Sequence, residues 1–253
     1  MLSFLLVAAS CLLFAQASSE TPSPSEIVNE TVKVEMIPLF IPPLGWKCAL
    51  PKNLSQYVLV GFVGEGTTQF HPSINLAIEE VDLSQKEYVK AVKEIHVSDP
   101  HTTWRNLGKF SMKAGVGNLT EITSTSAWGT VKMLQAILVK DNKAYILTAA
   151  FLKQDYPQFQ KEILESLHSL SLHPNLAKAL PTEEQQMKFA QFLEGLGKFS
   201  PEADLSNTQK MQWEQMQKEV VESYPEMGSH WHFLALREGY EKIYSRAPPR
   251  NLP

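Results

Sequence analysis

The chain has 253 residues, a formal net charge of -4 and a hydrophobic fraction of 43%. That supplies enough apolar material for a packed core, and the mild negative charge, with no run of Lys and Arg, excludes the electrostatic footprint of a nucleic-acid binder. No stretch reaches the ~18 consecutive apolar residues of a membrane helix, so the mature chain is expected to lack a transmembrane segment.

The N-terminus has the layout of a secretory signal peptide. Leu2 to Phe14 is apolar, Ala15-Gln16-Ala17 forms an A-x-A site, and polar Ser18, Ser19 and Glu20 follow. Small side chains at Ala15 and Ala17 suit the peptidase pocket, so cleavage is expected between Ala17 and Ser18. The n-region carries no Lys or Arg. The expected location is periplasmic or secreted, with residues 1–17 removed. A second reading rests on Cys11, because Ala8-Ala9-Ser10-Cys11 loosely resembles a lipoprotein cleavage site. The apolar run continues past Cys11 to Phe14, however, where a lipidated cysteine needs a polar tether. Membrane attachment is expected only if Cys11 is lipidated.

Cleavage leaves Cys48 as the one cysteine, so no internal disulfide can form. In Trp46-Lys47-Cys48-Ala49-Leu50 it reads as a small buried hydrophobe; the alternative is a reactive thiol. Asn29-Glu30-Thr31, Asn53-Leu54-Ser55 and Asn118-Leu119-Thr120 match the N-glycosylation pattern, which matters only in a eukaryotic secretory pathway.

Residues 18–44 read as a Pro/Ser-rich linker, because prolines stiffen the backbone and remove donors. Within it, Val32 to Phe40 alternates enough for an edge strand. Tyr57 to Val63 is a β-branched and aromatic run, and Ser73 to Glu79 alternates apolar and polar; both predict strands. Ser84 and Glu87 form a capping box ahead of Tyr88, Val92 and Ile95, which predicts a helix over 85–97. Asp99-Pro100 breaks it. A meander of strands follows over 107–112, 119–126, 130–139 and 143–152. Its turns are expected at Gly115–Asn118, at Trp128-Gly129 and, as a tight hairpin, at Asp141-Asn142. Asp155 as cap and Pro157 in the first turn open a second helix, with Phe159, Ile163, Leu167 and Leu170 on one stripe.

Residues 175–253 read as all-helical. Met187, Ala190, Leu193 or Phe192, and Leu196 mark the first apolar face. Trp213, Met216, Val220 and Tyr224 mark the second, and Phe233, Leu236, Tyr240 and Ile243 or Tyr244 the third. Pro201, Pro225 and Gly228 separate the helices. The order of elements argues for an α+β architecture, an antiparallel sheet with packed helices, followed by a helical extension.

Motifs for chemistry are weak. Gly115-Val116-Gly117 superficially resembles a phosphate loop, but a strand follows it where a helix N-terminus is required. His230 and His232 point about 200° apart on a helix and cannot easily share one ion; they read as solvent-facing or capping. Glu79, Glu80 and Asp82, and Glu183 with Glu184, read as solvated or helix-terminal acids. No G-x-S-x-G, H-E-x-x-H, C-x-x-C or P-loop lysine occurs, and no cofactor is implied. The Met- and Trp-rich tail has two readings: packing against the first domain, or an adaptable apolar surface for a partner protein, with Trp213, Met216 and Trp231 as its candidates.

Residues 46–172 resemble the PsbP/Mog1/DcrB-like group. The resemblance rests on Trp46-Lys47 before Leu50-Pro51, Ile74-Asn75-Leu76, the capped helix ending at Ile95, the meander through Gly129, the Asp141-Asn142 hairpin, Tyr145 to Ala149, and Ser166-Leu167-His168-Ser169-Leu170. It implies an α/β/α sandwich over residues 45–174, with 175–253 as an extension that departs from the group. It also implies a binding or assembly role and no catalytic residues. The expected function is therefore an exported, non-enzymatic binding or assembly protein of the bacterial envelope with a protein partner. The alternatives are a small-ligand carrier with a closed apolar cavity, and an exported hydrolase using residues such as His71, Glu79 and His96.

Overall fold

A computed structural model describes residues 35–49, 58–66, 69–198 and 205–245. The segment read from the sequence as a signal peptide, with Cys11, Ala15, Ala17 and Ser18, the sequons at Asn29 and Asn53, and residues 246–253 lie outside the described residues.

Seven strands form one antiparallel sheet: β2 (Lys47–Cys48), β3 (Val58–Val63), β4 (Ser73–Glu80), β5 (Thr102–Met112), β6 (Gly115–Ser126), β7 (Gly129–Lys140) and β8 (Lys143–Leu152). Their spatial order is β2-β3-β4-β8-β7-β6-β5. The hairpins β5–β6–β7–β8 are consecutive, as the predicted meander requires. The β7–β8 turn is tight because Asp141 and Asn142 both take positive φ, 53° and 60°, the conformation that two-residue hairpins need and that Asp and Asn tolerate.

Side chains alternate across the sheet, and helices cover both faces. α1 (Gln85–Val97) buries Tyr88, Val89 and Val92 against Ala77, Ile137, Ala144 and Ile146. Its start is fixed by the predicted capping box: the Glu87 N–H donates to Ser84 Oγ and the Ser84 N–H to Glu87 Oε2. α2 (Tyr156–His168) packs Phe159, Ile163 and Leu167 on the opposite face, over Leu134, Ala136, Leu147 and Ala149. The antiparallel sheet with packed helices expected from the element order is the fold found, and helices on both faces give the sandwich that the resemblance implied.

Local details differ from the sequence reading. Gly115–Asn118 is the start of β6, and the turn before it falls at Lys113-Ala114. Gly117 pairs with Phe110 across the ladder; a Cβ there would run into the Ile137 carbonyl oxygen of β7 and Met112 Cε. This glycine serves close strand approach, not a turn. Gly117→Val is expected to destabilise by about 1–3 kcal/mol through overpacking, whereas Gly195→Ala, with open space at its Cβ, should be neutral or better. Thermal melts of the two variants check this; equal melting temperatures would refute it. Asp155 makes no side-chain cap bond because a 3-10 turn, Lys153–Asp155, precedes the helix and holds Asp155 in helical geometry. Cys48 is exposed, not buried, because β2 is a two-residue edge strand; nearby atoms still crowd the sulfur enough to push the thiol pKa up. Asn118 and Thr120 of the third sequon lie within β6, with the Asn118 amide donating to Asn106 Oδ1 at 2.7 Å and Thr120 buried.

The tail forms α3 (Glu183–Gly195), α4 (Leu205–Ser223) and α5 (Gly228–Tyr244). Its core joins Phe189, Leu193 and Leu196 of the first helix region to Met216, Val220, Tyr224, Trp231, Ala235, Leu236 and Ile243. Met187 and Ala190 are exposed. The inward face of α3 is set by Phe189, the position one turn before Leu193, because its ring fills the space between Tyr224 and Trp231.

Candidate functional site: a cleft between the sheet and the helical tail

The segment 35–44, read from sequence as part of a spacer, supplies β1 (Ile37–Leu39). It pairs antiparallel with β9 (Ser171–His173), a strand that the sequence did not reveal, with Pro38 opposite Leu172. This small ribbon joins the two halves of the molecule. Leu39 lies in the tail core while the next residue, Phe40, lies in the sheet core. The alternation that predicted an edge strand at Val32–Phe40 thus sends Ile37 and Leu39 to the tail core and Phe40 to the sheet core.

His230 of α5 sits at the junction, fully buried. Its ring lies 4.9 Å from the Phe40 ring and 6.0 Å from the Phe62 ring, centroid to centroid. The Phe40 backbone N–H donates to Nδ1 at 3.3 Å, which leaves the proton of the neutral imidazole on Nε2. Burial pushes the pKa down to about 3. His230 is therefore an interior residue, not the solvent-facing one the helix-end position implied. His232 Nε2 bonds to the Tyr224 carbonyl oxygen at 2.8 Å, consistent with a capping role. Trp231 is 1% exposed, and its indole N–H donates to the Leu176 carbonyl at 3.0 Å. Of the three tail residues singled out as a partner surface, Met216 and Trp231 are packed inside the tail and Trp213 is half-buried against Tyr240.

Above this junction lies an open cleft of about 410 Å³, within the ~300–1,000 Å³ of ordinary small-molecule sites. Leu39, Phe40 and Ile41 form one wall, Ser169 and Ser171 to His173 another, and Met227 and Trp231 the tail side. Lys113, from the β5–β6 turn, and Lys140, at the end of β7, face into it. The turn is held there because the Lys113 N–H bonds to the His168 carbonyl and the Ala114 N–H to that of Leu170. Neither lysine has an ion-pair partner among the described residues. His173, on the same wall, bonds through Nε2 to Ser171 Oγ at 2.9 Å. Burial, and to a lesser extent the Lys113 ammonium, hold its pKa below the usual value. Glu226 borders the cleft but accepts from the Gln185 amide. The Ile41 N–H donates to Ser169 Oγ at 2.7 Å, and that hydroxyl donates to the Ser166 carbonyl, so the serine positions the wall and has no free proton. An anion beside the two lysines, with its apolar part against Ile41 and Met227, matches this lining.

A hydrolytic constellation is not assembled from the sequence candidates. Glu79 takes a 2.6 Å hydrogen bond from the Tyr88 hydroxyl. His71 lies eight residues earlier along the chain, on the order of 25 Å at strand rise, and bonds at Nδ1 to the Gly64 carbonyl oxygen. His96 is two helical turns beyond Tyr88, about 12 Å away. Glu183 and Glu184 are exposed in the first turn of α3. The cleft differs from the closed apolar cavity expected of a carrier, since it is open and half polar.

No family model matches the chain, and no curated protein matches it. Solved structures do. The crystal structure of LpqN, involved in cell envelope biogenesis of Mycobacterium tuberculosis, aligns at a TM-score of 0.43 and 12% identity, covering 57% of this chain and 88% of that one. Cyanobacterial PsbP from Synechocystis aligns at 0.39 and 12%, covering 60% and 100%. The Ran-binding protein Mog1p of Saccharomyces cerevisiae aligns at 0.34 and 14%, covering 53% and 89%. The fold resembles that of PsbP and Mog1. At these identities the likeness is one of fold alone, and it leaves a large part of this chain unaligned. Among the described residues no helix is long and apolar enough to cross a membrane.

Proposed function

We propose that the chain is an exported, non-catalytic binding or assembly protein of the bacterial envelope. On this reading it engages an anionic group carried on an apolar one, the chemistry of an acidic segment of a partner protein, at the cleft between sheet and tail. The observation that carries this is the pair Lys113 and Lys140, without ion-pair partners among the described residues, beside an apolar wall in a chain of net charge -4. Outside an ion pair, an ammonium held at the mouth of a cleft attracts an anion from solution and fixes its position.

The test is binding measured by fluorescence anisotropy and calorimetry on the mature chain, with a short peptide alternating Glu and Leu and with decanoate as probes. The peptide is expected to bind more tightly than decanoate, and the double variant Lys113→Glu, Lys140→Glu to weaken it at least ~10-fold, or about 1.4 kcal/mol. Tighter binding of decanoate would favour the small-ligand carrier. Equal binding by the wild type and the double variant would remove the cleft from the reading.

A further inference from the structure

On the sheet face beneath α1, one polar residue from each of five strands stands in a single row. Asn75 pairs with Thr148, Thr148 with Gln135, Gln135 with Thr120, and Thr120 with Asn106. Apolar clusters flank the row on both sides: Ala77, Ile137 and Ile146 on one, Ile122, Met133 and Leu152 on the other. Trp104 packs against both. Asn106 at one end is exposed and Asn75 at the other half-buried, but Thr148, Gln135 and Thr120 in the middle are buried, where a strand face normally carries apolar residues because a buried polar atom costs free energy unless it is hydrogen-bonded.

The row is incompletely bonded within the protein. Gln135 Nε2 donates to Thr148 Oγ1 at 3.3 Å. Three closed-off atoms have no partner among the described residues: Gln135 Oε1, Thr120 Oγ1 and Trp104 Nε1. Thr120 is 0% and Gln135 3% exposed. The register puts them together. Thr120 and Gln135 are directly opposite, with Cβ atoms about 5 Å apart, and Trp104, paired with Ile122, is diagonal to Thr120 at about 7–8 Å, within reach of an indole. Their chemistry is complementary. The indole N–H only donates, the amide oxygen only accepts, and the threonine hydroxyl does either. A single guest oxygen carrying a proton satisfies all three: it accepts from Trp104, donates to Gln135 and exchanges a bond with Thr120.

We propose that Trp104, Thr120 and Gln135 form an internal site for ordered water, bridging β5, β6 and β7 beneath α1. A bound water with three hydrogen bonds is the usual way such groups are satisfied.

The test combines a crystal structure, at a resolution that shows ordered water, with water-to-protein magnetisation transfer to the Trp104 indole proton and melting of Thr120→Val. Density for one compact peak within hydrogen-bond distance of all three atoms is expected. A cross-peak from a long-lived water to the indole N–H is also expected, together with a melting temperature of Thr120→Val lowered by about 2–4 °C. The absence of a peak, with Thr120→Val melting higher than the wild type, would show three dry orphaned groups and overturn the assignment. Elongated density extending beyond one oxygen would place a larger hydroxyl-bearing guest there and overturn water as the occupant. Gln135→Met gives an independent arm, since it removes the acceptor at similar volume and should abolish the indole cross-peak while leaving the protein folded.

Discussion

Replacing Trp231 by Ala should lower the unfolding free energy by about 3–5 kcal/mol, the range for deleting a large buried aromatic. The ring is among the largest fully buried side chains. It lies 4.9 Å from Phe189 of α3 and 5.4 Å from Tyr224 after α4, and its N–H bonds to Leu176 next to β9. Each contact comes from a different stretch of chain, so one truncation leaves a cavity that no single element can collapse to fill, and it removes one of the two hydrogen bonds on the Leu176 carbonyl, the other coming from the Ala179 N–H. Urea unfolding and limited proteolysis measure the result. The variant is expected to gain early cuts around residues 174–181 that the wild type resists. Met187→Ala is the control: Met187 is 60% exposed, and its loss should cost within about 0.5 kcal/mol. Equal stability of the two variants would show that the tail does not depend on this core.

Acidification from about pH 7.5 to about pH 4.5 should remove about 2–3 kcal/mol of stability through His230 alone. The folded pKa, about 3, is below the ~6.5 of an unfolded histidine. As pH falls below about 6.5 the unfolded chain takes up this proton and the folded chain does not. Stability is thus fully present above about pH 6.5 and declines until about pH 3. Burial lowers the pKa of His96 and His173 too, which adds in the same direction. Glu238, on the same helix as His230, has its pKa raised by burial; its folded form takes a proton more readily as pH falls, which offsets part of the loss. Rings of Phe40 and Phe62 face His230. The check is urea denaturation across this window for the wild type and His230→Gln, whose amide oxygen can still accept from the Phe40 N–H. The variant should show a clearly flatter pH dependence; an unchanged slope would sink the assignment.

These two residues also show where sequence reading reached its limit. Both lie on the predicted third tail helix, and both were visible as a His-Trp-His motif. Helical spacing correctly separated His230 from His232. It could not say that His230 faces Phe40, 190 positions away, so the histidine that looked solvent-facing is interior. Met216 was read both as core and as a partner surface, and long-range packing against α5 placed it inside. On α3 the stripe through Met187 and Ala190 was a helical repeat as valid as the one through Phe189. The choice between them depends on which ring fills the gap beside Trp231. The cleft lysines carried no signal at all, since Lys113 sits in a turn and Lys140 ends a strand. Only the pairing of β1 with β9 brings the chain start and the tail around them.

What the sequence by itself determined is the set of elements and their class. The capping box at Ser84, the apolar stripe of α2, the alternation of β3 and β4 and the Asp141-Asn142 hairpin are local, each fixed by hydrogen bonds and side-chain spacing within a few residues. Tertiary structure alone decided the β1–β9 ribbon, the inward face of α3, the burial of His230, the exposure of Cys48, and the polar row from Asn75 to Asn106. Each of these depends on which residues far apart in the chain become neighbours. Burial and strand register are properties of that neighbourhood, and no local pattern contains them.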